Sequence, residues 1–494
     1  MPGPVLISSN SGSGHPADEA VLAAALRLLE RGSWGAVRVL SQDVGCTGRA
    51  HPHVETFAEE DIDAALADCR LLMVVGDLSD TTRRERAARH LLSAKRQQVP
   101  VALVSVRLGG SCAKTPRHDD ALRILAEAES ITACDAPSAT VIAHCMQRRI
   151  ATTAPLELVL SAKPMPHASH AMALEGEFLE QLPESERRTV LDTVSRFAAR
   201  HDLRTTVVFT AKAPSFALPE TLECLAAPTW TQWMRALSQV RICIARPDSV
   251  ALHLAVAQGA VPITQAAHEG VDLSERIGLH SFAAGMCTRS WSTLLEQALA
   301  TRIEDVCARS APVRVVAWRA LGSLSEAVRS RPLALEDDPV LRRSAMRLLA
   351  THWRRLLQQG AFPHVESQLL AWSSCQGETA WAASRAQAFV LQGRDTAARV
   401  VLEDALTQSP QDSECLSMLA MILWRNGDPH AADRCWTRII EAGGEDVDEA
   451  RRQRDTLRTW MSVQEESLPT EALLPDVDQA ATPSRTDAAR RSTG

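Results

Sequence analysis

The sequence predicts two consecutive α/β domains of Rossmann-like type, facing each other across a cleft and followed by an all-α helical-repeat domain. Three observations carry this expectation. From residue 5 to about residue 160, short β-rich runs alternate with helical stretches. A second alternating series begins near residue 156 and ends near residue 330. The last third is helical in pattern, and Gly360, Gly393 and Gly427 recur at intervals of 33 and 34 residues. The expected boundaries are 1–160, 161–330 and 340–463, with 466–494 read as a disordered tail.

In the first series the strand candidates are VLISS, AVRVLS, RLLMVVG, VPVALVSV and ESITAC, each followed by a helical stretch. Strands alternating with helices build a parallel sheet covered on both faces. The second series opens with LELVLSAKP, read as a strand. A helix over 184–201, the strand TTVVFTAK, a helix containing WTQWMRALSQV, the strand RICIARP, another helix and AVPITQ follow. In the third part, a hairpin turning at Gly393 puts Ala386 and Phe389 on one helix and Ala398, Leu402 and Ala405 on the next, with Pro410 at the exit. Adding 34 gives Ala420, Leu423, Ala432, Trp436, Ile439 and Gly444. A weaker preceding unit holds Gly360, Val365, Leu369 and Trp372, and EARRQRDTLRTWM is suited to cap the array.

The chain has 494 residues, 45% of them hydrophobic, enough for several cores. Its 53 basic and 60 acidic residues leave a formal charge of -7, so no global cationic field draws it to nucleic acid. The 12 cysteines are scattered singly, without metal-ligand spacing, which fits reduced thiols and a cytoplasmic location. No secretion signal or membrane span is expected from the N-terminus or from any apolar run. The histidines at 51, 53, 167 and 170 lack an accompanying acidic ligand, so neither a metal nor a cofactor is called for.

In open parallel sheets, ligands sit beyond the C-terminal strand ends, where loops enter helices. The first such turn, NSGSGHPADEA, carries Gly12 and Gly14, which would let the backbone approach a ligand, and Asp18 and Glu19 in the first helical turn. No G-x-G-x-x-G follows the strand, and two carboxylates would repel a phosphate, so a dinucleotide pocket is not expected. The plainer alternative is a glycine turn whose acidic residues favour the helix dipole.

Asn10, Gly14, Asp18, Glu19 and Ala20 resemble the G-N-x-G-D-E-A first turn of the polysaccharide pyruvyl transferase family, with extra residues inserted. Further likenesses follow in order. Gly76 and Asp80 stand in LLMVVGDLSD, and Asp135 and Ser138 stand in ITACDAPS, where Cys134 takes the place of the usual arginine. Lys163 ends LVLSAKP, and Arg246 with Asp248 replaces the family's R-x-H. The order of segments also resembles that family, which implies two Rossmann-like domains in a GT-B-like arrangement. It implies pyruvyl transfer from phosphoenolpyruvate to a cell-surface sugar, with Lys163 and Arg246 holding the anionic donor.

The stretch Asp248, Ser249, His253, Leu254, Ala255 and Gly259 is also similar to the donor-site helix of heptosyltransferase-like enzymes. That likeness implies a nucleotide-sugar donor, with Asp248 and His253 as the candidate catalytic pair and Ser249 at the donor. Lys212 would be a third cation at the same rim. The structural alternatives are a helix cap for Asp248 or Ser249, a packed helix residue for His253 and a solvated strand end for Lys212. The spacing of the third part resembles the tetratricopeptide repeat, which implies a protein partner.

The candidate ligand-contacting set is therefore Lys163, Lys212, Arg246, Ser249, Gly12, Gly14, Asp18 and Gly76. The expected partners are a small anionic donor, phosphoenolpyruvate or a nucleotide sugar, and a sugar acceptor. A scaffold whose cleft has lost its chemistry is the reading from another class. On the transferase reading, Arg246→Ala abolishes donor-induced stabilisation and leaves the unliganded fold intact.

Overall fold

The computed structural model describes residues 3–108, 119–146, 150–160, 170–210, 213–246, 249–265, 281–282, 288–330, 339–362, 365, 368–369, 381–443 and 446–467. The chain forms two compact units, Met1–His352 and Trp353–Gly494.

The larger unit holds two parallel sheets. The first is built from β1 (Val5–Ser8), α1 (Pro16–Arg31), β2 (Val37–Ser41), α2 (Val44–Ala50), β3 (Glu55–Ala58), α3 (Ile62–Leu66), β4 (Leu71–Asp77), α4 (Thr81–Arg96), β5 (Val101–Arg107), α5 (Asp120–Leu125), β6 (Ser130–Ala133), α6 (Ala136–Met146) and β7 (Ala151–Thr152). Its strand order is β3-β2-β1-β4-β5-β6-β7. The winding reverses between β1 and β4, so the loops after these two strands diverge and leave a crevice at their C-terminal ends.

The second sheet comprises β8 (Ala171–Glu175), α7 (Gly176–Gln181), α8 (Glu184–His201), β9 (Arg204–Phe209), β10 (Glu223–Ala226), α9 (Trp230–Ser238), β11 (Ile242–Ile244), α10 (Val250–Ala257), β12 (Val261–Gln265) and β13 (Ser281–Phe282). Its order is β10-β9-β8-β11-β12-β13, with the reversal between β8 and β11. Two Rossmann-like sheets are thus present as the sequence predicts.

The segment LELVLSAKP is not a strand. Leu156–Leu160 forms a 3-10 turn, and the first strand of the second sheet starts at Ala171. The reason lies in what the leucines bury: Leu156, Leu158 and Val159 join the core of the first sheet beside α1 and the later helices. The Gln258 side-chain amide fastens the end of the turn by donating to the Leu160 carbonyl at 3.0 Å.

Past β13 come α11 (Thr288–Ala300), α12 (Ile303–Trp318), α13 (Ala320–Arg329) and α14 (Pro339–Gln358). Helix α11 closes the second sheet with Trp291, Leu294 and Leu295. Helices α12 and α13 return to the first sheet, where Val313, Ala317, Ala320, Leu324 and Ala327 pack with Val5, Ile7, Met73 and Val104. The chain therefore crosses between the sheets twice, which sequence order alone does not reveal.

His90 on α4 lies in the first domain's interior with its Nδ1 2.8 Å from the Ser8 hydroxyl. Burial holds its imidazole well below the ordinary value, and Arg89, Arg86 and His352 push the same way. The folded protein thus keeps His90 neutral while the unfolded chain takes up a proton below about pH 6.5. Its contribution is full above that value and is lost as pH falls toward the depressed folded value, at up to about 1.4 kcal/mol per pH unit. Denaturant unfolding of His90→Asn between about pH 6.5 and 5.5 should show a shallower loss than the wild type, by about 1 kcal/mol. Equal slopes would remove His90 as the cause.

The second unit is helical among its described residues: α15 (Ala382–Leu391), α16 (Asp395–Gln408), α17 (Ser413–Arg425), α18 (Pro429–Ala442) and α19 (Val447–Ser467) follow the C-terminal end of α14. Gly360, Gly393 and Gly427 have φ of 81°, 72° and 84°, a left-handed conformation that a residue with a Cβ adopts only at a cost, and each ends a helix. The 34-residue offset is a packing repeat: Ala386 and Ala420, Ala398 and Ala432, Leu402 and Trp436, and Ala405 and Ile439 are all buried. The tail at 468–494, Trp372 and Gly444 lie outside the described residues.

Candidate functional site

A cavity of about 540 Å³ opens where the two strand-order reversals face each other. Its walls come from the C-terminal ends of strands: the start of α1 after β1, Gly76 and Asp77 at the end of β4 with Ser79 and Asp80 after it, Ser105 and Arg107 of β5, and Cys134 after β6. From the second sheet come Glu175 of β8, Thr210 after β9, Arg246 after β11, and the first turn of α10 with Ser249. The Leu156–Leu160 turn contributes Glu157.

The opening glycine turn is held by protein, not shaped around a ligand. Gly12 N–H donates to Glu19 Oε1 at 2.8 Å, while Glu19 Oε2 lies 3.2 Å from His51 Nε2 in a buried pair. A Cβ on Gly12 would lie 2.3 Å from both the Asp43 nitrogen and the Ser41 hydroxyl, so the missing side chain makes room for the loop after β2. Gly12 and Gly14 do not line the cavity.

The acidic pair therefore divides. Glu19 is turned inward as a clamp, and Asp18 lines the cavity. Ser13 Oγ donates to Asp18 Oδ2 at 2.8 Å, and Arg83 forks both of its terminal nitrogens onto the two carboxylate oxygens at 3.3 Å. Burial raises the Asp18 carboxyl above its ordinary value, more than Arg83, Ser13 and His15 pull it down.

The rim of the first sheet is irregular where it meets the cavity. Pairing registers shift between Val75 and Asp77 and between Leu103 and Val106. Gly76 has φ 106°, and Ser105, which has a side chain, is held at φ 51°. Its N–H bonds Thr132 Oγ1 and its hydroxyl bonds the Ala154 carbonyl, both at 2.8 Å. Such bulges turn strand ends toward a ligand and hold strained backbone in place.

Asp135 caps α6 by accepting from the Ser138 N–H at 2.7 Å, and Ser138 Oγ accepts from the Leu108 N–H at 2.9 Å. These two residues shape the rim. Arg107, at the end of β5, brings a guanidinium beside Cys134, with its Nε 3.6 Å from Asp135 Oδ2.

Across the cavity, Arg246 is committed to Glu175. Its backbone N–H donates to Glu175 Oε2 at 2.8 Å, and its guanidinium makes three further contacts to the same carboxylate between 2.9 and 3.3 Å. Glu177 accepts from both the Thr210 N–H and hydroxyl at 2.6 Å. Ser249 is the N-cap of α10, accepting from the Ala251 N–H at 3.2 Å.

His253 does not line the cavity. It is 1% exposed on α10, and its Nδ1 stands 3.8 Å behind Glu157 Oε2. Burial alone would raise the Glu157 carboxyl, yet the His253 imidazole and Arg107 outweigh it and hold the carboxyl below its usual range.

The structure thus gathers Asp18, Gly76, Arg246 and Ser249 around one cavity and leaves Gly12, Gly14 and His253 outside its lining. Lys163, Lys212 and Asp248 lie outside the described residues. Among the lining residues, Glu175, Glu177, Glu157, Arg107 and Trp233 did not figure in the sequence expectations. A signal existed for two of them: Arg107 and Glu175 are charged residues ending apolar strands, VALVSVR and AMALE. No group of three or more potential metal ligands occurs among the described residues. None of their helices is long and apolar enough to cross a membrane.

No family model matches the chain, and no curated protein does. The pyruvyl transferase and tetratricopeptide resemblances thus find no counterpart in a family model. Solved structures do resemble it. A putative UDP-N-acetylglucosamine 2-epimerase from Listeria monocytogenes is 11% identical over 65% of this chain and 94% of its own, with a TM-score of 0.45. MurG from Acinetobacter baumannii is 10% identical over 66% and 100%, with a TM-score of 0.36. The UDP-GlcNAc 2-epimerase from Neisseria meningitidis is 12% identical over 65% and 98%, with a TM-score of 0.41.

Proposed function

We propose that the chain is a transferase acting on a sugar hydroxyl in the cavity between the two sheets, with a nucleotide sugar as donor. The observation that carries this reading is the wall of the cavity. Six carboxylates, Asp18, Asp77, Asp80, Glu157, Glu175 and Glu177, line it against three arginines, Arg83, Arg107 and Arg246. Each arginine already stands in an ion pair, with Asp18, Asp135 and Glu175 respectively.

Carboxylates oriented by fixed donors keep lone pairs for hydroxyl groups, which is what a sugar presents. The same wall opposes phosphoenolpyruvate, a small ligand that is nearly all charge and needs several uncommitted cations. A nucleotide sugar spreads a smaller charge density over a ligand rich in hydroxyls, and a volume of about 540 Å³ is in the range of cofactor-sized sites. The pyruvyl route therefore yields to the glycosyl one.

In the transfer step the acceptor oxygen forms a bond to the anomeric carbon. The bond from that carbon to the phosphate oxygen breaks, its electron pair leaves on the nucleoside diphosphate, and the hydroxyl proton passes to a carboxylate. Asp18 suits the last role because it lines the cavity and burial raises its carboxyl above the ordinary value, which makes it a stronger base.

Asp18→Asn should abolish UDP release from UDP-glucose, a loss of about 100-fold or more, while Arg83 and Ser13 still hydrogen-bond the amide and preserve the fold. Thermal shift with UDP-glucose and phosphoenolpyruvate in parallel tests the donor. Stabilisation by phosphoenolpyruvate alone would overturn the glycosyl reading, and silence toward both would favour a binding scaffold.

A further inference from the structure

The rim where β8 and β11 end has the parts of an anion site, and one of them is in the wrong place for a free site. Arg246 offers a backbone N–H and a guanidinium there, and the first turn of α10, Ser249 to Ala251, lines the same cavity. On the neighbouring helix Trp233 also lines it. That side chain is 0% exposed, and its indole N–H has no hydrogen-bond partner among the described residues. A buried donor without an acceptor is costly to maintain.

The acceptor that should complete this cluster is supplied from within. Glu175 places both carboxylate oxygens on Arg246, one on its backbone N–H and both on its guanidinium, with only 5% of its side chain exposed. A carboxylate and a phosphate present the same geometry to an arginine fork.

We infer that Glu175 is an internal stand-in for a ligand phosphate: it occupies the anion site formed by Arg246 and the start of α10, and sets the affinity of that site for phosphate-bearing donors. This inference rests on the transferase reading, since a nucleotide-sugar donor brings the phosphate that must displace the carboxylate. Donors with one compact phosphate compete poorly, and only ligands that gain further contacts along the hydroxyl-binding wall can move Glu175 aside. The residue thereby acts on specificity as well as on affinity.

Calorimetric titration of the full chain with sodium pyrophosphate tests this without a sugar. Glu175→Gln keeps an oxygen to accept from Arg246 while removing the competing charge, and should bind pyrophosphate at least about tenfold more tightly than the wild type. Adding Arg246→Gln to that variant should remove the gain. Glu175→Ala provides a second route to the same result if the glutamine folds poorly, with circular dichroism confirming the fold.

Titrations with UDP and with phosphoenolpyruvate then identify the source of the phosphate, and a gain for either supports the role of Glu175. Equal affinities of wild type and both Glu175 variants for all three anions would overturn it. A pyrophosphate gain beside silence toward UDP-glucose would leave the role of Glu175 standing and the sugar reading fallen.

Discussion

Arg246→Ala is expected to lower the unfolding free energy of the α/β unit by about 3 kcal/mol, contrary to what its place in the sequence implies. At the end of RICIARP it reads as an exposed ligand-holding cation whose removal spares the fold. In the structure it is the only ion-pair partner that Glu175 has among the described residues. Its own side chain is 34% exposed, whereas that of Glu175 is 5% exposed. Truncating the arginine therefore leaves the Glu175 carboxylate, 5% exposed, without its counter-ion and holding only the backbone N–H of residue 246.

The asymmetry gives a sharp test by guanidinium-induced unfolding. Glu175→Gln alone should cost about 1 kcal/mol, since the amide oxygen still accepts hydrogen bonds. The Glu175→Gln, Arg246→Ala double variant should recover most of the loss caused by Arg246→Ala. Strict additivity of the two changes would show that the pair does not account for the cost.

Gly12→Ala should destabilise the same unit by about 3 kcal/mol or more, against about 1 kcal/mol for Gly14→Ala. Both glycines have φ of 78°, so the backbone penalty of adding a Cβ is shared. What differs is the space. A Cβ at Gly14 meets nothing within 4 Å, whereas at Gly12 it meets backbone atoms of Asp43, which cannot rotate away. Displacing the loop would also break the Gly12 N–H bond to Glu19 and loosen the Glu19–His51 pair. Thermal unfolding of the two variants side by side measures the difference, and equal shifts would place the cost in the φ angle alone.

Both results bear on how far the candidate site was legible beforehand. Strand-end positions could be read because parallel strands buried on both faces are near-continuous apolar runs, and the first charged or glycine residue after such a run marks the rim. Gly76 and Arg246 are found in this way, whereas Asp18 is read from its place in the first turn of the following helix. Glu175 was missed because LELVLSAKP has the same apolar run as a strand, and the true strand begins eleven residues past the end of its 3-10 turn, at Ala171. Apolar content tells how strongly a segment is buried but not against what. The leucines of 156–160 bury themselves between helices rather than in a sheet.

His253 shows the same limit from the other side. Its spacing after Asp248 and Ser249 places it one turn into a helix that starts at the cavity, where a ligand contact is plausible. Helix α10 is apolar on every side, and its residues from Ala251 to Ala257 are all buried. The imidazole consequently meets Glu157, from a segment almost a hundred positions earlier, instead of the cavity.

Periodicity and strand-helix alternation in this chain were sufficient for two parallel sheets, most strand ends of the first of them and the 34-residue helical repeat. These features depend on contacts between residues near in sequence, whose spacing the chain itself displays. Which charges face which was decided only in three dimensions. Asp18 with Arg83, Glu175 with Arg246 and Glu157 with His253 are pairs separated by 65, 71 and 96 positions, brought together by the strand-order reversals and the turn that joins the sheets. The strength of a charge pair depends on its separation and burial, and neither is written in the order of residues.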